Sequence, residues 1–89
     1  MQMDEQLIKI RDLGLVTALI SLGVVVKDTK KELNGRMYFI FEDTTQTRVY
    51  INDYWEDELK VKARNYSDSM KMLKTRIYSE ERYANFKKQ

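Results

Sequence analysis

The chain has 89 residues and a net charge of +2, enough for one small domain that buries about 60–65% of its unfolded surface. It contains no cysteine and no histidine, which excludes a disulfide framework, thiolate metal sites and catalysis by either residue. Hydrophobic residues at 43% and charged residues at 34% suit a folded, soluble chain, and without proline there is no proline-rich linker.

Residues 1–11 read as an N-terminal segment. The run Leu13–Val26, LGLVTALISLGVVV, follows Lys9 and Arg11 and has the outline of a signal sequence. Asp4, Glu5 and Asp12 in the basic region argue against that, as does the lack of a small-residue cleavage site after Val26. The run is also short of the roughly 20 apolar residues that span a bilayer. A cytoplasmic location without membrane attachment is expected.

Asp12 predicts an N-cap. Leu15, Ala18, Leu19 and Leu22 then share one helical face, while Leu13, Val16 and Ile20 lie nearly opposite. Gly23 supplies the stop. Such a helix is apolar almost all round and must be covered all round, which few short elements can do, so the pattern points to a dimer or a protein partner.

Val24–Val26 reads as a short strand. Lys27–Arg36 is polar and carries Asn34-Gly35, a type I′ turn signal. Met37–Glu42, MYFIFE, reads as a second strand, with Met37, Phe39 and Phe41 on one face and Tyr38 and Ile40 on the other. Thr44–Trp55 is ambiguous. Its threonines with Val49 and Ile51 favour a strand, whereas Asp43 and Gln46 form a capping-box pattern that would put Ile51, Tyr54 and Trp55 on one helical face. Leu59–Ala63 should be short and extended. A last helix is expected from a cap at Ser67 or Asp68, with Tyr66, Met70, Leu73 and Ile77 facing the core. Beyond Ser79 that stripe is lost, and residues 80–89 read as a basic tail or a helix extension.

Asp12-Leu13, Leu22-Gly23-Val24, Tyr38–Asp43, Tyr54-Trp55 before Leu59-Lys60-Val61, and Leu73–Tyr78 together resemble a small uncharacterised domain family of Firmicute bacteria and their prophages or mobile elements. The resemblance covers roughly residues 12–79. It implies a helix, two strands and two further helices, and so favours helix for Thr44–Trp55. It carries over no catalytic residue. The expected fold is therefore α+β: one domain over residues 12–79, with an N-terminal apolar helix, a two-stranded antiparallel hairpin and two helices.

Charge is distributed unevenly. Residues 1–59 carry 7 basic and 11 acidic side chains, net −4, and residues 60–89 carry 9 and 3, net +6. Such a chain either meets an electrostatic partner or pairs with its own other half. Asp53, Glu56, Asp57 and Glu58 have the chemistry to hold Mg²⁺, but a solvated helix end accounts for them as well. No phosphate-binding glycine loop is present. No enzymatic activity and no cofactor are expected.

Two binding readings remain. The first is self-association or a protein partner, through Leu15, Leu19, Leu22, Phe39, Met72, Tyr83 and Phe86, since apolar surplus of this kind marks interfaces. The alternative is nucleic acid, through Lys60, Lys62, Arg64, Lys71, Lys74, Arg76 and Arg82 on phosphates, with Tyr78, Tyr83 or Phe86 stacking on unpaired bases. No named nucleic-acid-binding motif accompanies these residues.

Overall fold

The computed structural model describes the backbone of residues 6–87 and the side chains of residues 6–79. The order of elements is β1 (Leu7–Ile10), α1 (Leu13–Ser21), β2 (Val26–Lys31), β3 (Met37–Glu42), α2 (Thr45–Trp55) and α3 (Ala63–Lys87). The three strands form one antiparallel sheet in the order β1-β3-β2. The fold is α+β as expected, but the sheet has a third strand from the segment ahead of the apolar helix. Ile8 and Ile10 of that strand sit opposite Phe41 and Phe39. Their side chains thus extend the core face of β3, because partners across a ladder point the same way.

The expected all-apolar helix forms between Asp12 and Gly23. The Asp12 carboxylate accepts from the Leu15 N–H at 2.9 Å. At the other end the Gly23 N–H donates to Ile20 O and the Val24 N–H to Leu19 O, at 2.9 and 3.0 Å. These are the paired bonds of a Schellman motif, with Gly23 at φ +94° in the left-handed position.

The cover for α1 comes from its own chain. Five consecutive residues, Leu15 to Leu19, are buried. Phe39, Phe41 and Ile10 of the sheet and Leu73 of α3 join Leu15, Val16 and Leu19 in one cluster, and Tyr50, Ile51 and Tyr54 of α2 pack against it. Thr17 fits this apolar setting because its hydroxyl donates to Leu13 O at 2.7 Å. Each fully buried large side chain contributes about 1.5–3 kcal/mol. The need for a partner to cover α1 therefore falls away.

Several local expectations are corrected. β2 runs through the polar residues VKDTKK, which sequence alone reads as loop. A bulge at Lys27 leaves Val26 opposite Phe41 and Asp28 opposite Ile40. The hairpin closes with the Gly35 N–H on Glu32 O and the Glu32 N–H on Arg36 O, at 2.9 and 2.8 Å. Only Gly35 in that loop has positive φ, so it is a three-residue loop rather than a type I′ turn, which needs positive φ at both central positions.

Helix α2 is capped by Thr44, whose Oγ1 accepts from the Thr47 N–H at 3.0 Å, rather than by Asp43. Asp43 instead meets the Arg48 guanidinium through two bonds of 2.6 Å. Helix α3 starts a turn earlier than Ser67, with the Tyr66 N–H donating to Lys62 O at 2.9 Å.

The outer face of the sheet carries Lys9, Tyr38 and Ile40. Lys9 Nζ lies 4.5 Å from the centre of the Tyr38 ring, and the Arg11 guanidinium carbon lies 5.8 Å from it. Arg11 is held there by two bonds to Glu32 of 2.6 and 2.7 Å. The aromatic on this face is thus covered by cations and their stems, a common use of long basic side chains.

Candidate functional site

Helix α3 spans 25 residues, about 37 Å at 1.5 Å per residue. Tyr66, Met70, Leu73 and Ile77 fall on one side of it, with Leu73 buried and the other three half-buried. That stripe is the core contact expected from the sequence. Taking 100° per residue, Arg64, Lys71, Lys74 and Tyr78 occupy an arc of roughly 80° away from it. Arg64 and Tyr78 lie about 21 Å apart along the axis. All four are exposed, with Tyr78 at 62%, and Lys60 and Lys62 are exposed in the segment just before the helix.

Several basic side chains in the first part of the chain are held in ion pairs. Arg11 is paired with Glu32, Lys30 with Asp28 and Arg48 with Asp43. Among the described residues, none of Lys60, Lys62, Arg64, Lys71 and Lys74 has an acidic partner within 4.0 Å. The basic half of the chain is therefore not neutralised at these positions by its acidic half.

Arg76 belongs elsewhere. It has interactions of its own and contributes to holding the Asp28 carboxyl below its usual range, behind the larger effects of the Thr29 N–H and Lys30. The structure thus brings four of the eight expected nucleic-acid residues onto one arc of α3, with Lys60 and Lys62 exposed in the segment ahead of it and Arg76 off that arc. The Arg82 side chain lies outside the described residues.

The expected protein-interface residues are scattered. Leu15, Leu19 and Phe39 are 2%, 0% and 1% exposed, so they belong to the core and offer no surface to a partner. Leu22 is half-buried at the C-cap of α1. Met72 is 61% exposed on α3. The side chains of Tyr83 and Phe86 lie outside the described residues.

A second surface was not read from the sequence. Between β1 and α2 lies a cleft of about 350 Å³ lined by Ile8, Arg48, Ile51, Asn52 and Trp55. The periodicity of α2 places Trp55 beside Ile51 and Tyr54, yet it is 63% exposed. Its ring stands edge-on to Tyr54, with centroids 5.0 Å apart at 84°. The chain's single tryptophan, at the end of a helix that gives its other aromatics to the core, was the available signal.

The acidic residues after Trp55 form a turn. Asp57 takes φ 61°, and the N–H groups of Glu58 and Leu59 both donate to Asp53 O, at 2.8 and 3.1 Å. Among the described residues no group of three acidic side chains is placed to hold a metal ion. No described helix is long and apolar enough to cross a membrane.

The model of one protein family, a Domain of unknown function (DUF5659), matches residues 5–79. No curated protein and no solved structure matches the chain.

Proposed function

The chain belongs to the DUF5659 family, whose function is not established, and from the geometry of α3 we propose that it is a non-catalytic module that binds nucleic acid. The observation that carries this reading is five exposed cations without acidic partners among the described residues, Lys60 and Lys62 ahead of α3 and Arg64, Lys71 and Lys74 on one arc of it, with the exposed Tyr78 on that same arc. Cations left free by the fold gain most from phosphates, because binding releases the condensed counterions. The Tyr78 ring adds a platform for an unpaired base, worth about 1–3 kcal/mol, so single strands are the favoured form. A bacterial, phage or mobile-element origin belongs to this reading and rests on the resemblance of the sequence.

Fluorescence anisotropy with labelled single- and double-stranded oligonucleotides, across roughly 50–200 mM salt, tests it. Each phosphate contact contributes about −0.7 to the slope of log K against log salt on single strands and about −0.9 on duplex. Lys71→Glu with Lys74→Glu should abolish binding and leave the fold intact, because both side chains are exposed. Absence of binding at low salt would end this reading.

A second reading, association with a protein, is supported by Trp55 beside the open edge of β1. It uses none of the α3 cations.

A further inference from the structure

Resting on that second reading, we propose that β1 captures an extended apolar peptide segment of a partner protein, flanked by basic residues, as a fourth strand of the sheet. Alternate side chains of the peptide enter the cleft between Ile8 and α2.

The backbone of β1 is set up for this. The Asp43 N–H donates to Gln6 O at 2.8 Å, which makes Gln6 and Asp43 a hydrogen-bonded pair. In an antiparallel ladder such pairs alternate with pairs that are not hydrogen-bonded, so Ile8 and Ile10 bond to β3. Leu7 and Lys9 then turn their N–H and C=O groups to the edge of the sheet, where no further strand lies among the described residues.

Native edge strands are often blunted by a lysine. Here the Lys9 ammonium is drawn onto the outer face, 4.5 Å from the Tyr38 ring centre, and so does not guard the edge backbone.

The cleft supplies the side-chain pocket that strand addition needs for selectivity. A strand laid beside β1 points every second side chain to the same face as Ile8, over Ile51 and Trp55. Asn52 adds a polar contact at its wall.

The Arg48 charge at the cleft is met by Asp43, and the acidic residues that follow Trp55 set the charge of the occupant. Glu56, Asp57 and Glu58 follow Trp55 directly, are exposed, and have no cationic partner among the described residues. They favour a peptide with lysine or arginine next to its apolar positions. A second copy of this chain fits less well, because the cation its β1 would bring is Lys9, already engaged on Tyr38.

The experiment selects a displayed library of random short peptides on the immobilised full chain, with counter-selection on Trp55→Ala. The expected winners alternate apolar residues and carry a flanking basic residue. A synthesised winner titrated into ¹⁵N-labelled protein should protect the Leu7 and Lys9 amides from exchange and shift the Trp55 indole. Lys9→Pro should weaken it by about tenfold or more, since proline removes the N–H that faces the open edge, whereas Lys9→Ala should not. Glu56→Lys with Glu58→Lys should weaken it as well, which keeps the test open if the proline variant fails to fold.

A winner that binds without protecting Leu7 and Lys9 would overturn strand addition and leave the protein-association reading standing. A chain that dimerises, and is made monomeric by Trp55→Ala, would overturn the choice of occupant. A monomer with no peptide enriched over Trp55→Ala would overturn both.

Discussion

Asp12 accepts two hydrogen bonds through one carboxylate oxygen, from the Leu15 N–H at 2.9 Å and from the Tyr54 hydroxyl at 3.2 Å. The second bond ties the start of α1 to the end of α2. A Cβ on Gly14 would lie 2.7 Å from that hydroxyl, which accounts for a glycine in the first turn of a helix despite its cost of about 1 kcal/mol against alanine. Burial, and then the Asp12 carboxylate, push the Tyr54 phenol above its ordinary pKa of 10.0. A group raised in the folded state stabilises the fold below its unfolded pKa and loses that contribution as pH rises through the folded value. The wild-type chain should therefore lose stability relative to Tyr54→Phe above about pH 10, measured by denaturant unfolding across an alkaline series. Thr29 presents a different case. Its Oγ1 is buried on β2 with no hydrogen-bond partner, and Phe39 is its neighbour across the ladder. Thr29→Val replaces an unpaired hydroxyl with a methyl group of similar size in a strand, and should raise stability by about 1 kcal/mol in urea titration.

At the scale of elements, local chemistry and long-range pairing divide the work. The Asp12 cap and the Gly23 stop bracket α1, and both follow from residues within a few positions of one another. Gly23 has no atom near where a Cβ would be, so the barrier to substitution there is the backbone alone. Gly23→Ala should cost about 1–2 kcal/mol, the penalty for an L-residue in the left-handed region, and leave the core spectrum unchanged. The turn after α2 carries the same strain in Asp57 at φ 61°, which a search for glycine stops passes over. Strands β1 and β2 show the other regime. Neither has a strong pattern of its own: β1 is four residues long, and β2 has Val26 as its only large apolar side chain. They exist because β3, with Phe39 and Phe41 buried beneath it, offers hydrogen-bonding groups on both sides that must be satisfied.

For the whole molecule, the deciding feature is where charge and apolar surface end up once α1 is covered. α2 and α3 both pack against α1, so the single-chain core uses the surplus that the sequence offered to a partner. Leu15, Leu19 and Phe39 leave the surface inventory for that reason. What remains outside is a cationic line on α3 and an apolar cleft under β1, built from different elements. The salt-slope experiment belongs to the first and the peptide selection to the second: Trp55→Ala should leave the salt slope unmoved, and Lys71→Glu with Lys74→Glu should leave peptide binding unmoved. Independence is expected because Trp55 closes α2, whereas Lys71 and Lys74 lie on the exposed side of α3.

Local pattern was enough to read the caps of α1, its burial, strand β3 to the residue, the inward stripe of α3 and the excess of positive charge in the last third. Each of these depends on spacing along a helix or strand, or on the conformational demand of a single residue, which neighbours in sequence suffice to express. The tertiary structure decided the third strand, the continuation of β2 through lysines, the exposure of Trp55 and the identity of the cations left unpaired. Those depend on which distant groups arrive beside them. A ladder partner, a covering helix or a counter-charge is supplied by residues tens of positions away, and no local pattern encodes its arrival.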